Sequence, residues 1–440
     1  MITIEDLYKL YLSHPIVSTD TRKLPEGCLF FALRGANFDG NKYAGAALEA
    51  GAAYAIIDEA DQLIDERTIL VPDALQALQL LAAHHRRALG IPVIAITGTN
   101  GKTTTKELTA AVLSQSYRLL YTEGNLNNHI GVPLTLLRLT SEHQLALIEM
   151  GASKPGDIAE LCAIAQPNYG LITNIGQAHL EGFGSLEGVR RTKGELYDSV
   201  RAREGILFYH EEDEVLRLMS LGTERISYGS SPKAYVQGVA SPSTGESLFL
   251  HFSWSCPILE MSAREVQTQL VGDYNLANAL AAIAIGLYFD VPSDKIDEAL
   301  TSYCPSNSRS QLIHSERGNQ IIADAYNANP SSMRTALSNF LAIEPALRPR
   351  IVILGDMNEL GASSHEAHQE LYQKLSSTTT PPLEIYLCGP HWREELGDQP
   401  QVYSNVEELI AHIEAHPITK SLILVKGSNS IHLGKLLPYL

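Results

Sequence analysis

The stretch Ile94-Ala95-Ile96-Thr97-Gly98-Thr99-Asn100-Gly101-Lys102-Thr103-Thr104-Thr105 constrains this chain more than any other. The apolar, β-branched run from Pro92 to Thr97 reads as a buried parallel strand. Gly98 breaks it, Gly101 turns it, and Lys102-Thr103 open a helix with Leu108, Ala111 and Val112 at helical spacing. Strand, glycine loop and helix together aim backbone N–H groups and a helix dipole at a phosphate. Lys102 is placed for β/γ-phosphates and the Thr103 hydroxyl for a magnesium ion. The strict phosphate-loop pattern wants a glycine where this chain has Ile96, so a shortened loop is implied. The alternative is a plain glycine turn between a core strand and a helix.

With 440 residues, 45% of them hydrophobic and 19% charged, the chain can bury several cores, and its length suggests about three domains. A net charge of −17 argues against a broad attraction to nucleic acid or an anionic membrane, so cations must be concentrated locally, as at Lys102. Cys28, Cys162, Cys256, Cys304 and Cys388 lie far apart without a CxxC pair, which excludes a zinc-ribbon or disulfide framework and fits a reducing compartment. Met1 to Asp6 lack a basic, apolar leader, and the run Ala279 to Phe289 is too short to cross a bilayer. These features predict a cytoplasmic protein that neither enters a membrane nor binds nucleic acid.

The chain divides by pattern into 1–85, 86–305 and 306–440. The first segment reads as a small α/β unit, with Asp20-Thr21-Arg22, a strand at Cys28 to Leu33, the turn-rich Arg34-Gly35-Ala36-Asn37-Phe38-Asp39-Gly40-Asn41, and helices at Ala44 to Ala53 and Ala74 to Leu89. Spacing alone leaves Arg22 and Arg34 as solvated charges or ligands. The second segment alternates strands and helices, predicting a mostly parallel sheet covered on both faces. In it, Asn125, Asn127 and Asn128 fit turn chemistry or a polar site. Glu149 ends the apolar strand Leu145 to Ile148, where a carboxylate faces the ligand crevice and can hold Mg²⁺, or else is a loop charge. His179 follows the strand Tyr169 to Thr173, and Lys193 sits on a helix, where alone it reads as surface charge. Residues ~225–270 alternate like antiparallel hairpins, and Asn275 and Asn278 share the first face of the helix to Phe289, as caps or nucleotide contacts. Beyond Pro305 to Arg309 a second doubly wound unit without a phosphate loop is predicted, ending in a helix at Ile431 to Leu436, with an exposed low-complexity loop at Ser376 to Pro382.

Gly98-Thr99-Asn100-Gly101-Lys102-Thr103 resembles the ATP loop of the Mur ligases, the amide ligases of peptidoglycan precursors. Thr122 to Asn128, Glu149-Met150-Gly151-Ala152, Thr173 to Glu181, Asp324-Ala325-Tyr326-Asn327-Ala328-Asn329-Pro330 and Leu354 to Gly361 extend the likeness in family order over nearly the whole chain. The Tyr326 to Pro330 and Gly355-Asp356-Met357 stretches point to the branch that adds D-alanyl-D-alanine to UDP-N-acetylmuramoyl-tripeptide, and no Asp-Asn-Pro-Arg signature of the diaminopimelate- or lysine-adding branch is present. The resemblance implies a three-domain α/β fold: a UDP-sugar domain, a central ATP domain and a Rossmann-like C-terminal domain. It implies a monomeric ligase that uses ATP, two Mg²⁺ ions and a carboxylated Lys193. Gly98 to Thr104, Asn275, Asn278, Arg309 and Asp324 would bind ATP, and Thr103, Glu149, His179 and Lys193 the metals. Lys102, His179 and Lys193 would be catalytic. Asp20, Thr21, Arg22, Arg34, Gly35, Asn127, Asn128, Asn327 and Asn329 would bind the other substrates. Asn41, Tyr274 and Asn429 depart from the family, which usually has His, His and Arg there. Another amino-acid-adding family member, and a phosphate-loop NTPase acting as a switch, are the competing readings.

Overall fold

A computed structural model describes residues 2–35, 38–241, 248–305, 309–343, 348–378 and 383–440. The predicted turns at 34–41, 241–245 and 305–309 and the loop at 376–382 therefore fall partly outside the described residues.

Among the described residues the strands form three main sheets, taken up in chain order. The first, Val17–Ser18, Leu29–Phe31, Tyr54–Ile57 and Thr68–Leu70, is parallel throughout. The helix Ala74–Leu89, capped by Asp73 and closed by Gly90 at φ +65°, leads out of it. Its apolar face joins Leu7, Leu29 and Ile56 to Ala95, Ile148 and Leu196 in one continuous core, so the N-terminal unit shares its interior with the central sheet. His85 is buried there with Nε2 2.9 Å from the Leu139 carbonyl.

The central sheet has nine strands, in the order Met261–Val271, Phe249–Cys256, Val236–Ala240, Glu224–Gly229, Ile206–His210, Tyr169–Ile172, Val93–Thr97, Leu145–Glu149, Leu119–Tyr121. The strand Val93–Thr97 lies between Tyr169–Ile172 and Leu145–Glu149, and is parallel to both. The chain leaves Val93–Thr97 for Leu119–Tyr121 on one side and leaves its neighbour Tyr169–Ile172 for Ile206–His210 on the other, so the C-terminal ends of these two strands form the switch point where parallel sheets open a ligand crevice. Only part of 225–270 is antiparallel: Glu224–Gly229 and Val236–Ala240 continue the parallel order, and the hairpin is the pair Phe249–Cys256 and Met261–Val271. Period-two alternation marks a strand with one wetter face and says nothing of its partner's direction, which is why these two strands read alike in sequence.

The C-terminal sheet runs Gln311–His314, Gln320–Asp324, Leu422–Lys426, Arg350–Gly355, Leu383–Cys388, Val402–Tyr403, parallel except for its first strand. The expected helix at Ile431 to Leu436 is instead two 3-10 segments, Asn429–Ile431 and Leu433–Tyr439, the second containing Pro438, which cannot continue an α-helical ladder.

Candidate active site

Two glycines shape the loop at the switch point. Gly98 has φ +143°, and a Cβ there would stand 2.0 Å from Thr173 Oγ1; Gly101 has φ +78°, where a Cβ would meet Asn278 Oδ1 at 2.7 Å. Neither conformation nor space admits a side chain. The loop is tied to the neighbouring strand end: Thr99 N donates to Asn174 O at 3.0 Å, Asn100 N to Asn174 Oδ1 at 3.0 Å, and Thr173 Oγ1 to Asn100 O at 2.6 Å. Lys102, the first residue of the helix Lys102–Leu113, folds its ammonium over the loop and donates to Gly98 O at 2.8 Å and Thr99 O at 2.9 Å. Burial lowers its pKa; the Glu149 carboxylate opposes that shift and Arg309 adds to it.

Glu149 is 1% exposed at the end of the strand Leu145–Glu149. Its Oε1 accepts from Asn127 Nδ2 at 2.8 Å and from the Thr103 hydroxyl at 3.2 Å, while its Oε2 is buried without a partner. A buried carboxylate oxygen left unsatisfied is costly by about 1–3 kcal/mol or more. Beside a phosphate-loop threonine it fits a cation ligand. Among the described residues no three His, Cys, Asp or Glu side chains gather to hold a metal alone.

Lys193, expected on its own spacing at the surface, is 3% exposed in the helix Leu186–Arg201, its amine 5.8 Å from the Phe183 ring centroid. Burial drives its pKa well below the ordinary lysine value, Lys102 pushes it further down, and Asp157, Glu195 and Glu149 only partly oppose this. His179 takes φ +50°, unusual for a side-chain-bearing residue, and its Nδ1 lies 2.7 Å from Glu359 Oε2 in the C-terminal unit.

These groups open into one cavity of about 1140 Å³. Gly98 to Thr104, Asn127, Asn128, Glu149, His179, Lys193, Asn275, Asn278, Arg309, Asp324 and Asn327 all line it. The central and C-terminal units both contribute walls. Asn275 and Asn278 bond each other at 3.0 Å, Asn278 accepts from Thr105 Oγ1 at 3.0 Å, and Asn275 donates to Val271 O at 2.9 Å. The Arg309 guanidinium stacks 3.6 Å from the Tyr326 ring centroid, and the Tyr274 hydroxyl lies 2.7 Å from Ser310 Oγ. Asn329 is 4% exposed and reaches the loop through Asn100.

Asp20, Thr21, Arg22, Arg34 and Gly35 do not line this cavity. Arg22 pairs with Asp20 at 2.8 Å, and the guanidinium holds the Asp20 carboxyl down at about 2. Arg34 pairs with Asp58 at 2.7 Å, and the fully buried Asn41 donates to the same Asp58 oxygen at 2.8 Å.

Lys426 and Glu359 are among the cavity residues without a role predicted from sequence. Lys426 is 2% exposed, donates to Asp324 Oδ2 at 2.6 Å and to Asn327 O at 3.1 Å, and stands in register with Asp324 on the adjacent parallel strand. Its position, a charge ending an apolar strand before Gly427, is the same signal that singled out Glu149. Glu359 sits in an irregular segment, and nothing in the local pattern foretells its reach to His179.

The Mur ligase middle domain matches residues 96–286, the Mur ligase glutamate ligase domain residues 308–429, and the Mur ligase family catalytic domain residues 15–86. A UDP-N-acetylmuramoyl-tripeptide–D-alanyl-D-alanine ligase of Bacillus subtilis is 34% identical over 96% of this chain and 92% of its own length. This chain belongs to the Mur ligase family. It is an ATP-dependent, amide-bond-forming ligase. The Mur ligase of the same name from Escherichia coli is 38% identical, with 94% of this chain and 91% of the relative covered. The crystal structure of MurF from Thermotoga maritima with ADP has a TM-score of 0.84 at 25% identity, covering 97% of both chains. The α/β layout of three units is that of the Mur ligases. Among the described residues no helix is long and apolar enough to cross a membrane.

Proposed function

We propose that this chain joins D-alanyl-D-alanine to UDP-N-acetylmuramoyl-tripeptide in the building of peptidoglycan precursor. One observation carries the chemistry: the phosphate loop, a half-satisfied carboxylate and a buried lysine share a cavity walled by the C-terminal unit. The choice of substrates is supported by the names of the relatives from Bacillus subtilis and Escherichia coli. Residues 1–85 would hold the UDP-sugar, 86–305 the ATP, and 306–440 the wall closing over both.

A carboxylate resists attack by an amine because the addition develops a second negative charge on it. ATP removes that obstacle: its γ-phosphoryl group passes to the tripeptide's terminal carboxylate, the amine of D-alanyl-D-alanine attacks the acyl carbon, and phosphate leaves as the amide forms. Lys102 and the loop amides neutralise and orient the phosphates, the largest contribution such a transfer needs. Mg²⁺ would supply further charge neutralisation; Thr103 and Glu149 would hold one ion, and His179 and Lys193 a second. Asn275, Asn278, Arg309 and Asp324 would seat the nucleotide, and Asn127, Asn128 and Asn327 the acceptor side. Asp20, Thr21, Arg22, Arg34 and Gly35 would take the sugar nucleotide, on a surface where Asp20 braces Arg22 and Asp58 braces Arg34.

Lys193 as an ammonium would repel a cation. Its environment favours the neutral amine, and a neutral amine adds CO₂ to give a carbamate with release of one proton. The carbamate oxygens can ligate Mg²⁺, whereas an ammonium cannot.

The test is phosphate release from ATP with the sugar nucleotide and dipeptide supplied singly and together. Release that needs both, with the dipeptide's mass gained by the sugar nucleotide, is expected. Release indifferent to both would replace the ligase by a phosphate-loop NTPase.

A further inference from the structure

One polar contact between the central and C-terminal units reaches the phosphate loop itself. Asn329 Nδ2 donates to Asn100 Oδ1 at 2.7 Å, Asn100 Nδ2 donates to Ser331 Oγ at 2.8 Å, and Ser331 Oγ donates to Asn329 Oδ1 at 2.8 Å. The three side chains close a ring in which each donates once and accepts once.

Both sides of the ring are anchored. On the C-terminal side, Asn329 caps the helix Pro330–Ala342: its Oδ1 accepts from Ser332 N at 2.9 Å, and Ser332 Oγ accepts from Asn329 N at 3.1 Å. On the loop side, the Asn100 main chain is committed to the central sheet, with N donating to Asn174 and O accepting from Thr173 and Asn174. Asn100 thus divides its hydrogen bonds cleanly, main chain to one unit and side chain to the other. A Cβ on Gly176 would lie 3.2 Å from Ser331 Oγ and 3.5 Å from Thr99 Cγ2, so the helix start also packs against the loop. The ring holds no charge, so salt does not screen it; its strength lies in geometry, because the two bonds to Asn100 form only in this docked arrangement.

We propose that Asn329 and Ser331 are positioning residues that act through Asn100: seating of the C-terminal unit sets the conformation of the phosphate loop used for phosphoryl transfer. The proposal rests on the ligase reading and moves Asn329 from substrate binding to loop control. Without the ring, the loop still binds ATP through its backbone and Lys102, but the γ-phosphate is no longer held in line. Misplacement on the scale of 1 Å is enough to slow such a step by orders of magnitude.

The experiment uses the full chain and measures ligation with saturating and limiting substrates. Asn329→Asp keeps the helix cap, since aspartate caps as well as asparagine, but replaces the amide donor facing Asn100 Oδ1 with an acceptor. Ser331→Ala leaves that cap untouched and removes the second link, and Asn100→Ala breaks the ring from the other side. The expected result is a fall in kcat of about tenfold or more for Asn329→Asp and Asn100→Ala, with KM for ATP and for the dipeptide changed less than about twofold. The double variant should be no slower than the slower single one, because both break the same ring. A thermal midpoint within about 2 °C of the parent marks the folded state as intact, and should Asn329→Asp fall outside it, Ser331→Ala carries the comparison. An unchanged kcat, a raised dipeptide KM at constant kcat, or multiplicative single effects would each overturn the proposal. If the parent chain releases phosphate from ATP alone, the ligase reading fails separately, and the same kcat comparison on that hydrolysis still judges the ring.

Discussion

In the central sheet the carboxylate ending the strand Leu145–Glu149 keeps one oxygen without a partner, whereas in the C-terminal sheet the carboxylate ending Gln320–Asp324 is closed by Lys426 at 2.6 Å. Both stand at the C-terminal ends of parallel strands and face one cavity. The difference separates two kinds of polar group. Glu149 is held by Thr103 and Asn127 and is incomplete without a cation, so its burial is unfavourable until the reaction partners arrive. Asp324 and Lys426 complete each other, so their burial is settled by folding alone. Glu149 is left for a partner from outside the chain, whereas Lys426 belongs to the scaffold and holds Asp324 where the nucleotide would meet it.

The largest effect is expected from Glu149→Gln. It keeps the shape and removes the charge a cation needs, so kcat should fall about 10²–10³-fold. Stability should not fall with it, because the variant no longer buries an incomplete carboxylate. A thermal midpoint that drops sharply alongside activity would place Glu149 with the scaffold instead.

Lys193→Met is next, with a loss of about 10²-fold in ligation and a gain in stability. Burial lowers the Lys193 pKa well below the ordinary lysine value, so the unfolded chain binds more protons than the folded chain from the folded pKa up to the free-lysine value of about 10.4. Parent stability therefore rises with pH through that window. In CO₂-free buffer the methionine variant should be the more stable protein at neutral pH, and its advantage should shrink as the pH approaches about 10.4. Bicarbonate should raise the activity of the parent only. Melting curves across pH, with and without bicarbonate, check both signs.

The architecture was largely legible in the sequence because it rests on patterns that local physics enforces. Apolar β-branched runs followed by helical spacing gave the strands around Val93–Thr97, and glycines at positions where no Cβ fits gave the loop. What was not legible is what depends on three-dimensional approach. Strand direction at Glu224–Gly229 and Val236–Ala240 is set by neighbours far along the chain. The burial of Lys193 is set by the Phe183 ring and the cavity wall, and its helix pattern alone reads as surface. The Asn100–Asn329 contact joins residues 229 positions apart, a separation no periodicity reports. Lys426 was the avoidable omission, since it carries the strand-end signal already used for Glu149.

Lys426→Met tests the scaffold side of the comparison. It leaves the Asp324 carboxylate, with a side-chain exposure of 19%, without its cation, and should lower stability by about 2–3 kcal/mol, the partial exposure of Asp324 moderating the cost of a fully buried break. Adding Asp324→Leu should recover most of that loss, because the pair is then removed together. Chemical denaturation of the single and double variants gives the answer; a double variant as unstable as the single would show that Lys426 stabilises through the Asn327 carbonyl rather than through Asp324.

The smallest effect concerns Tyr274 on the cavity wall. Its hydroxyl meets Ser310 Oγ at 2.7 Å, just after the chain passes into the C-terminal unit. Burial pushes its pKa well up, so the hydroxyl keeps its proton at neutral pH. Tyr274→Phe removes one neutral hydrogen bond and keeps the ring, which a Cβ on Gly272 would touch at 2.4 Å. The expected cost is about 1 kcal/mol in stability, with kcat close to that of the parent and at most a small rise in KM for ATP. Ser310→Ala should reproduce it, and the two together should cost no more than either. A larger loss of activity than of stability would mean that Tyr274 acts on the nucleotide, which would move it from the scaffold side, with Lys426, to the unsatisfied side that Glu149 represents.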